Sequence, residues 1–309
     1  MAANGKNHSP LLTATDRITL GYILFTTLLL LAGGGRLEHP GSHYLVRAGM
    51  ITLVMAVAWL DKETESRWAR FLHAFYPLLF LGYFFPETDY LNDLFQPSLD
   101  PAIIRLEMIL FGTMPSLTFS SCCPWPWFSE LMHTAYFSFY VIILFFALRY
   151  FFRHPRLFRY RMFQFFLAFY SFYVIFSFFP SEGPQYFLMP PDNVVPHGYV
   201  MTELMNRILE MGDRPTGAFP SSHIGMTWLI MYFFFRDDRR AFYGWLVPAL
   251  LLTLATVYIK AHYAVDVLGG FMMVPLLAWL GQVLYPLLEQ ETATGTELVA
   301  EPPVVPPVT

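Results

Sequence analysis

Two short clusters carry the residue types that suit acid, base or nucleophilic chemistry. The first is the sequence GAFPSSH at 217–223, and the second is KAHYAVD at 260–266. In the second cluster His262 and Asp266 are four residues apart, so on a helix they share one face. The carboxylate can then hold one imidazole nitrogen and raise the basicity of the other, which makes the histidine a good nucleophile or base.

The first cluster has the residues of a helix start. Pro220 suits the first helical position, and Ser221 and Ser222 are suited to cap the first turn. A helix N-terminus with free N–H groups and hydroxyl side chains is a natural anion site, and His223 would stand over it. The alternative is that each histidine is a satisfied polar residue at a helix end. Two histidines combined with serines and an aspartate at i+4 favour the functional interpretation.

Three cations lie near these clusters in the sequence, namely Arg207, Arg214 and Lys260. Guanidinium groups match phosphate oxygens well, so the cations predict a phosphate-binding site. A metal site would need more converging His, Cys or carboxylate ligands, so neither a metal ion nor another cofactor is predicted. The sequence equally allows Arg207 and Arg214 to be solvated charges on a long loop.

The composition shows what must position these residues. Of 309 residues only 14% are charged, against about 25% in an ordinary globular protein, and 55% are hydrophobic. Such a chain cannot cover itself with a water-soluble surface, so the bilayer is the expected surroundings. The net charge of −4 argues against nucleic acid as a partner. The adjacent Cys122 and Cys123 suit neither a mutual disulfide nor a metal site.

Apolar runs bounded by charge predict an all-α polytopic membrane protein with about eight transmembrane helices. Several runs are shorter than the roughly 20 residues that span a bilayer, so the prediction is six to eight. The runs are 18–35, 44–60, 71–86, 129–149, 162–180, 222–235, 242–259 and 264–288.

The basic residues predict the orientation. With the N-terminus inside, the inner segments hold 13 of the 19 Lys and Arg residues and the outer segments hold six. Because cytoplasmic loops are enriched in these residues, both termini are expected in the cytoplasm and both clusters on the outer side. Part of the outer connection 87–128 is expected to form an amphipathic helix, lying in the membrane interface or outside the membrane. The other long outer connection is 181–221.

At PSSH (220–223) and at His262 with Asp266, the sequence resembles the second and third signatures of the type 2 phosphatidic acid phosphatase (PAP2) superfamily. The resemblance implies a helical catalytic core, expected at 129–288, and a metal-independent reaction through a phosphohistidine. His262 would attack phosphorus, Asp266 would orient it, and His223 would protonate the leaving oxygen. Around this core we expect a cytoplasmic segment at 1–17, transmembrane helices with the outer interfacial segment at 18–128, and a disordered acidic, Pro-rich tail at 289–309.

Departures from the superfamily's pattern indicate a branch. Arg207 with Arg214 matches the first signature only if Arg replaces its Lys, and Ala255-Thr256 stand where phosphatases have Ser-Arg, which makes Lys260 a candidate substitute. The sequence GAFPS at 217–221 and FPSEGP at 179–184 are more similar to the inositol phosphorylceramide synthase branch. Within FPSEGP, residues 182–184 are predicted to line the pocket mouth or to form a turn that ends a helix.

The resemblance implies a phosphotransferase that acts at the outer leaflet on a lipid phosphate or phospholipid, with a ceramide or diacylglycerol as a candidate acceptor. A lipid phosphate phosphatase is the first alternative, because the two reactions differ only in what attacks the intermediate. A transporter is a remote alternative, since it would need charges within several spans.

Overall fold

The computed structural model describes residues 10–33, 40–64, 66–92 and 97–289, and these residues form helices without strands. Residues 1–9 of the predicted cytoplasmic segment and 290–309 of the predicted tail lie outside the described residues. The helices are α1 (Ala14–Gly33), α2 (Pro40–Thr64), α3 (Arg67–Asn92), α4 (Asp100–Phe111), α5 (Pro115–Cys122), α6 (Pro126–Arg153), α7 (Pro155–Phe178), α8 (Pro184–Phe187), α9 (Val200–Gly212), α10 (Ser222–Asp237), α11 (Arg239–Tyr258) and α12 (Ala264–Leu288).

Proline marks the first position of five of these helices, α2, α5, α6, α7 and α8. Proline is well suited to this position because its fixed φ is helical and the N–H that it lacks would have no partner there. The prolines at the starts of α6 and α7 therefore account for the breaks between α5 and α6 and between α6 and α7.

Each of the eight predicted spans corresponds to a helix: α1, α2, α3, α6, α7, α10, α11 and α12. Among the described residues six helices are long and apolar enough to cross a membrane, and the pair α4–α5, bent by 65°, would make a seventh if it counts as one span. The two predicted spans outside the six are α10, with 16 residues, and α3, which carries charges near both ends. The prediction of an all-α polytopic membrane protein is confirmed.

Helix α7 lies at the centre of the bundle, and seven of its aromatic side chains belong to the largest hydrophobic core of the described residues. It packs against α1, α3, α6, α10 and α12. Eight of its aromatic residues are buried because the helix has neighbours on every side, which is why its sequence is apolar all round rather than on one face. Helix α10 is enclosed in the same way by α6, α7, α11 and α12.

Charged pairs fasten the end of the bundle where α6, α7 and α10 meet. Arg149 binds Asp238 at 2.6 Å, and Arg161 binds Asp237 at 2.6 Å. The basic connection 149–161 thus lies at the opposite end of α10 from His223. The residues predicted to face outward therefore gather at one end of the bundle and these basic residues at the other.

Candidate active site

Helices α10 and α12 approach closely where the two clusters lie. A Cβ atom at Gly270 would be only 2.6 Å from the carbonyl oxygen of Ser221, so a side chain there would push the helices apart. The backbone N–H of Ser221 in turn donates to the carbonyl oxygen of Asp266 at 3.0 Å. The N-terminal ends of the two helices are thereby held together.

The two histidines of the clusters contact each other. Nδ1 of His223 lies 3.1 Å from Nε2 of His262, and Nδ1 of His262 lies 2.8 Å from the carbonyl oxygen of Ala218. A carbonyl oxygen can only accept, so Nδ1 of His262 carries a proton and Nε2 of the neutral ring keeps its lone pair. The structure thus brings the two clusters face to face, as the sequence predicted, and leaves one nitrogen of His262 available as a nucleophile.

Tyr136 of α6 holds the other side of His223. Its hydroxyl lies 2.9 Å from Nε2 of His223, and the ring of Phe139 packs on the same imidazole with centroids 4.3 Å apart. When both histidines are neutral, His223 donates from Nδ1 to His262, so the tyrosine hydroxyl donates to Nε2. Sequence reasoning missed Tyr136, because nothing in the sequence distinguishes it from the other 17 tyrosines.

Asp266 lies beside His262, although the direct hydrogen bond expected from the i,i+4 spacing is not the one that forms. Oδ2 of Asp266 is 3.6 Å from Nδ1 of His262 and accepts instead from the backbone N–H of Tyr263 at 2.8 Å. The N–H of the His262 ring donates a hydrogen bond to the carbonyl oxygen of Ala218, and the Asp266 carboxylate accepts a hydrogen bond from the backbone at the start of α12. Oδ1 of Asp266 is buried and has no hydrogen-bond partner among the described residues.

Ser221 caps α10, as the sequence predicted. Its hydroxyl accepts from the backbone N–H of Ile224 at 3.3 Å, and helix α10 begins at Ser222. Both serines are buried. No carbonyl among the described residues accepts from the N–H groups of Ser222 and His223, so the first turn presents free donors beside the histidines.

Asp100, at the start of α4, supports the loops that carry the histidines. Its carboxylate accepts from the backbone N–H of Glu182 at 2.7 Å and of Gly183 at 2.9 Å, and from the hydroxyl of Tyr263 at 2.9 Å. Gly183 has a positive φ of 83°, and a Cβ atom there would lie 2.8 Å from the carbonyl oxygen of Ala261. Residues 182–183 are therefore part of a turn that follows α7. This turn lies between Asp100 and the second cluster.

Lys260 is buried, and its ammonium is engaged by the backbone rather than by a carboxylate. Its ammonium donates to the carbonyl oxygen of Asp192, in the connection 181–221, and its backbone has a φ of 65°. Burial lowers the pKa of the Lys260 ammonium. Its role as a substitute for the missing phosphate-binding arginine stays a prediction.

The two predicted arginines have partners of their own. Arg207 lies exposed on α9 and binds Glu203 at 2.9 Å, one helical turn away. Arg214 donates to the backbone carbonyl of Asp213 at 3.0 Å. For Arg207 this placement favours the solvated-charge interpretation, and phosphate binding by either residue stays a prediction.

Asp213 is a second residue that sequence reasoning missed, although it directly precedes Arg214 in the motif region. Its Oδ2 accepts from the side-chain amide of Gln185 at 2.6 Å and from the hydroxyl of Tyr186 at 3.3 Å. Burial raises the pKa of this carboxyl group, and it lies close enough to His262 for their charges to interact. Asp213, Gln185 and Tyr186 therefore form a polar cluster beside the histidine pair.

In the part of the chain that the structure describes, no group of three or more His, Cys, Asp or Glu side chains is placed to hold a metal ion. Both Cys122 and Cys123 are free thiols.

Comparison with known families gives one match. A family model described as PAP2 superfamily matches residues 101–280, more than half of the chain. The match includes both histidines and Asp266, and it begins in α4, before the start at 129 that the sequence suggested for the core. No curated protein and no solved structure matches the chain significantly.

Proposed function

Because the chain belongs to the PAP2 superfamily, we propose that it is a membrane enzyme that transfers a phosphate-ester group of a lipid through a covalent phosphohistidine. Membership indicates a phosphatase-type enzyme acting on lipid phosphates. The observation that carries the finer proposal is the histidine pair, in which Nε2 of His262 has a free lone pair opposite the Nδ1–H of His223. A nucleophile and a proton donor are thus adjacent, and they can flank one reacting centre once they separate.

In the first step Nε2 of His262 attacks phosphorus, and the P–O bond to the leaving group breaks as the N–P bond forms. His223, protonated on both nitrogens, gives its Nδ1 proton to the leaving oxygen. Asp266, 3.6 Å from Nδ1 of His262, stabilises the positive charge that grows on the ring. The free N–H groups at the start of α10 are suited to the phosphate oxygens.

Substrate binding must separate the two histidines. A phosphorus atom needs about 3 Å to the attacking nitrogen, and the leaving oxygen needs about 3 Å to the proton donor, so the two nitrogens must move to roughly twice the observed 3.1 Å. In this proposal His223 rotates away from His262 when the phosphate enters. The hydroxyl of Tyr136 limits that rotation by holding Nε2 of His223.

In the second step an acceptor hydroxyl attacks phosphorus, the N–P bond breaks, and His223 takes the acceptor's proton. An alcohol gives a new phospholipid, whereas water gives free phosphate when the donor is a lipid phosphate and inositol phosphate when the donor is phosphatidylinositol. We favour transfer in the manner of an inositolphosphotransferase, with a phospholipid donor and a ceramide or diacylglycerol acceptor. Support comes from Asp213, Gln185 and Tyr186, because carboxylate, amide and hydroxyl groups suit the hydroxyls of a polyol headgroup. Hydrolysis of a lipid phosphate is the alternative.

The predicted topology puts this reaction at the outer leaflet. The histidines lie at the same end of the bundle as α4, α5, α8 and α9. Exposed apolar side chains are frequent on α4, including Leu106, Ile109 and Phe111, and they suit contact with lipid. A lipid substrate can therefore reach the site from the side.

The test incubates the purified full chain in nanodiscs with headgroup-labelled phosphatidylinositol or labelled phosphatidic acid, with and without ceramide or diacylglycerol. The proposal predicts a new labelled inositol-containing lipid that carries the lipid part of the added acceptor and whose formation requires that acceptor. Release of labelled free phosphate without an acceptor would favour the phosphatase alternative. Absence of both products from the wild type, measured against the His262→Ala variant as background, would overturn the enzymatic proposal.

A further inference from the structure

A cavity of about 850 Å³ lies at the other end of the bundle from the histidine pair. The ends of α1, α2, α3, α6, α7 and α12 surround it. Helix α12 runs from the histidine end to Tyr285 in the cavity wall, and its 25 residues span about 37 Å. The cavity is therefore too distant to take part in the proposed reaction.

Three arginines line this cavity, Arg67, Arg70 and Arg159. Arg67 and Arg70 are exposed, and among the described residues no carboxylate lies within ion-pair distance of either. Two guanidinium groups on adjacent turns of α3 are thus available to a ligand.

The two carboxylates that line the cavity are already engaged. Oδ2 of Asp61 lies 2.9 Å from Nδ1 of His73, and Oε2 of Glu289 accepts from the backbone N–H of Ala14 at 2.8 Å. Arg159 lies 3.9 Å from Glu289. The charge left without a partner in the cavity is therefore positive, and it belongs to Arg67 and Arg70.

The remaining wall is apolar and aromatic. The ring of Phe151 contacts Phe71 and Phe158 edge to face, with centroids 5.6 and 5.2 Å apart. Trp68 and Phe152, which also line the cavity, are 78% and 66% exposed. Exposed tryptophan at the end of a membrane helix is typical of the level of the lipid headgroups. The cavity thus combines exposed cations with an apolar, aromatic wall.

We propose that this cavity binds an anionic phospholipid from the leaflet opposite the histidine pair. Its phosphate contacts Arg67 and Arg70, and an acyl chain lies against Phe71, Phe151 and Phe158. In the topology predicted from the basic residues this is the cytoplasmic leaflet, which carries the anionic lipids. A soluble phosphate compound would use the arginines but would leave the aromatic wall uncovered.

The test measures lipid retention by the full chain in detergent, with native mass spectrometry during titration by phosphatidylglycerol or phosphatidylcholine. The double variant Arg67→Gln/Arg70→Gln is compared with Arg156→Gln/Arg240→Gln, which removes two exposed arginines at the same end but outside the cavity. The cavity variant is expected to bind phosphatidylglycerol about 30-fold more weakly, which corresponds to about 2 kcal/mol for two arginines at a membrane surface. The control is expected to bind it like the wild type.

Phosphatidylglycerol that binds at the histidine end should bind equally to both double variants, so it does not contribute to the difference between them. Equal binding by the two variants, or equal retention of the two lipids by the wild type, would overturn the proposal. A parallel titration with glycerol phosphate, which has the phosphate but no acyl chain, should show little occupancy. Occupancy by glycerol phosphate as strong as that by phosphatidylglycerol would also overturn it in favour of a soluble ligand. Because the readout is binding, the result does not depend on turnover.

Discussion

The two ends of the helix bundle each hold a histidine beside a carboxylate, and the two arrangements differ in one respect. At one end His262 has Asp266 at 3.6 Å, and its Nε2 faces another imidazole. At the other end His73 lies between two carboxylates, with Nε2 2.9 Å from Asp16 and Nδ1 2.9 Å from Asp61. Both nitrogens of His73 face carboxylate acceptors, whereas Nε2 of His262 faces only the imidazole of His223, which must move aside before Nε2 can react.

Proximity of a histidine to an acid is therefore a weak indicator of catalysis. His73 joins α1, α2 and α3 through its two carboxylates, and Tyr76 adds a hydrogen bond to Asp16 at 2.7 Å. That cluster fastens helix ends. His262 meets an acceptor only at Nδ1, so Nε2, which faces the imidazole of His223, keeps the lone pair that a nucleophile needs, beside free helix N–H groups.

The largest expected effect separates these two histidines. His262→Ala should reduce turnover by about 10⁴-fold or more with little change in thermal stability, because it removes the nucleophile. His73→Gln should keep most of the turnover per folded molecule and lower the free energy of unfolding by about 3 kcal/mol, because a buried ion pair loses a partner. Turnover and thermal melting of both variants check this. Substantial activity in His262→Ala, or loss of chemistry in folded His73→Gln, would reverse the assignment of the two ends.

The next effect concerns the proton donor. His223→Ala should slow the reaction of a lipid substrate by about 10²- to 10⁴-fold, because the leaving alkoxide then departs without a proton. The rate with a nitrophenyl phosphodiester, whose leaving group needs no proton, should fall much less in this variant. The ratio of the rate with the lipid substrate to the rate with the nitrophenyl phosphodiester, compared between variant and wild type, measures how much His223 contributes as proton donor. Equal losses on both substrates would assign His223 to phosphate binding instead.

A smaller effect is expected at Asp213, within the histidine end. Asp213→Asn should raise the donor KM about tenfold for phosphatidylinositol and leave that for phosphatidic acid nearly unchanged, because only the first has polyol hydroxyls. Burial raises the pKa of Asp213, so its ionised form is lost at a higher pH than that of an ordinary aspartate as the pH falls. The wild-type KM for phosphatidylinositol should rise over that range, and the Asn variant should lack this rise. A variant KM that follows the same pH dependence would place the titration elsewhere.

The smallest effect is expected at Tyr136. Tyr136→Phe removes one hydrogen bond to His223 and should lower kcat roughly fivefold with KM little changed. Tyr140→Phe, one helical turn further along α6, provides a control with the same chemical change. Equal kcat values for the two variants would remove Tyr136 from the positioning of His223.

The sequence predicted the elements that depend on local pattern. Runs of apolar residues between charges marked eight helices, and Ser221 marked the start of α10, although Pro220 precedes the cap and does not occupy the first helical position. The basic residues then placed both clusters at one end, and the structure brings His223 and His262 into contact there. The spacing of residues along the chain and the distribution of Lys and Arg between the two sides of the membrane were sufficient to predict that the two clusters meet.

Residues whose partners are distant in the chain were not predictable from spacing. Tyr136 is 87 residues from His223, and Asp100 is 163 residues from Tyr263. Helix packing creates these contacts, and no local sequence pattern predicts them. The same reason explains the cavity, which is formed by the ends of six helices.

The central claim is that the reaction proceeds through a phosphate group bound covalently to Nε2 of His262. The most direct measurement is rapid acid-free quenching of the enzyme with a ³²P-labelled lipid donor in the absence of acceptor, followed by identification of the labelled residue by mass spectrometry. We predict an alkali-stable, acid-labile label on His262 that disappears when acceptor is added and is absent from His262→Ala. Turnover of the labelled donor with no label on His262, or an equal label in His262→Ala, would contradict the account.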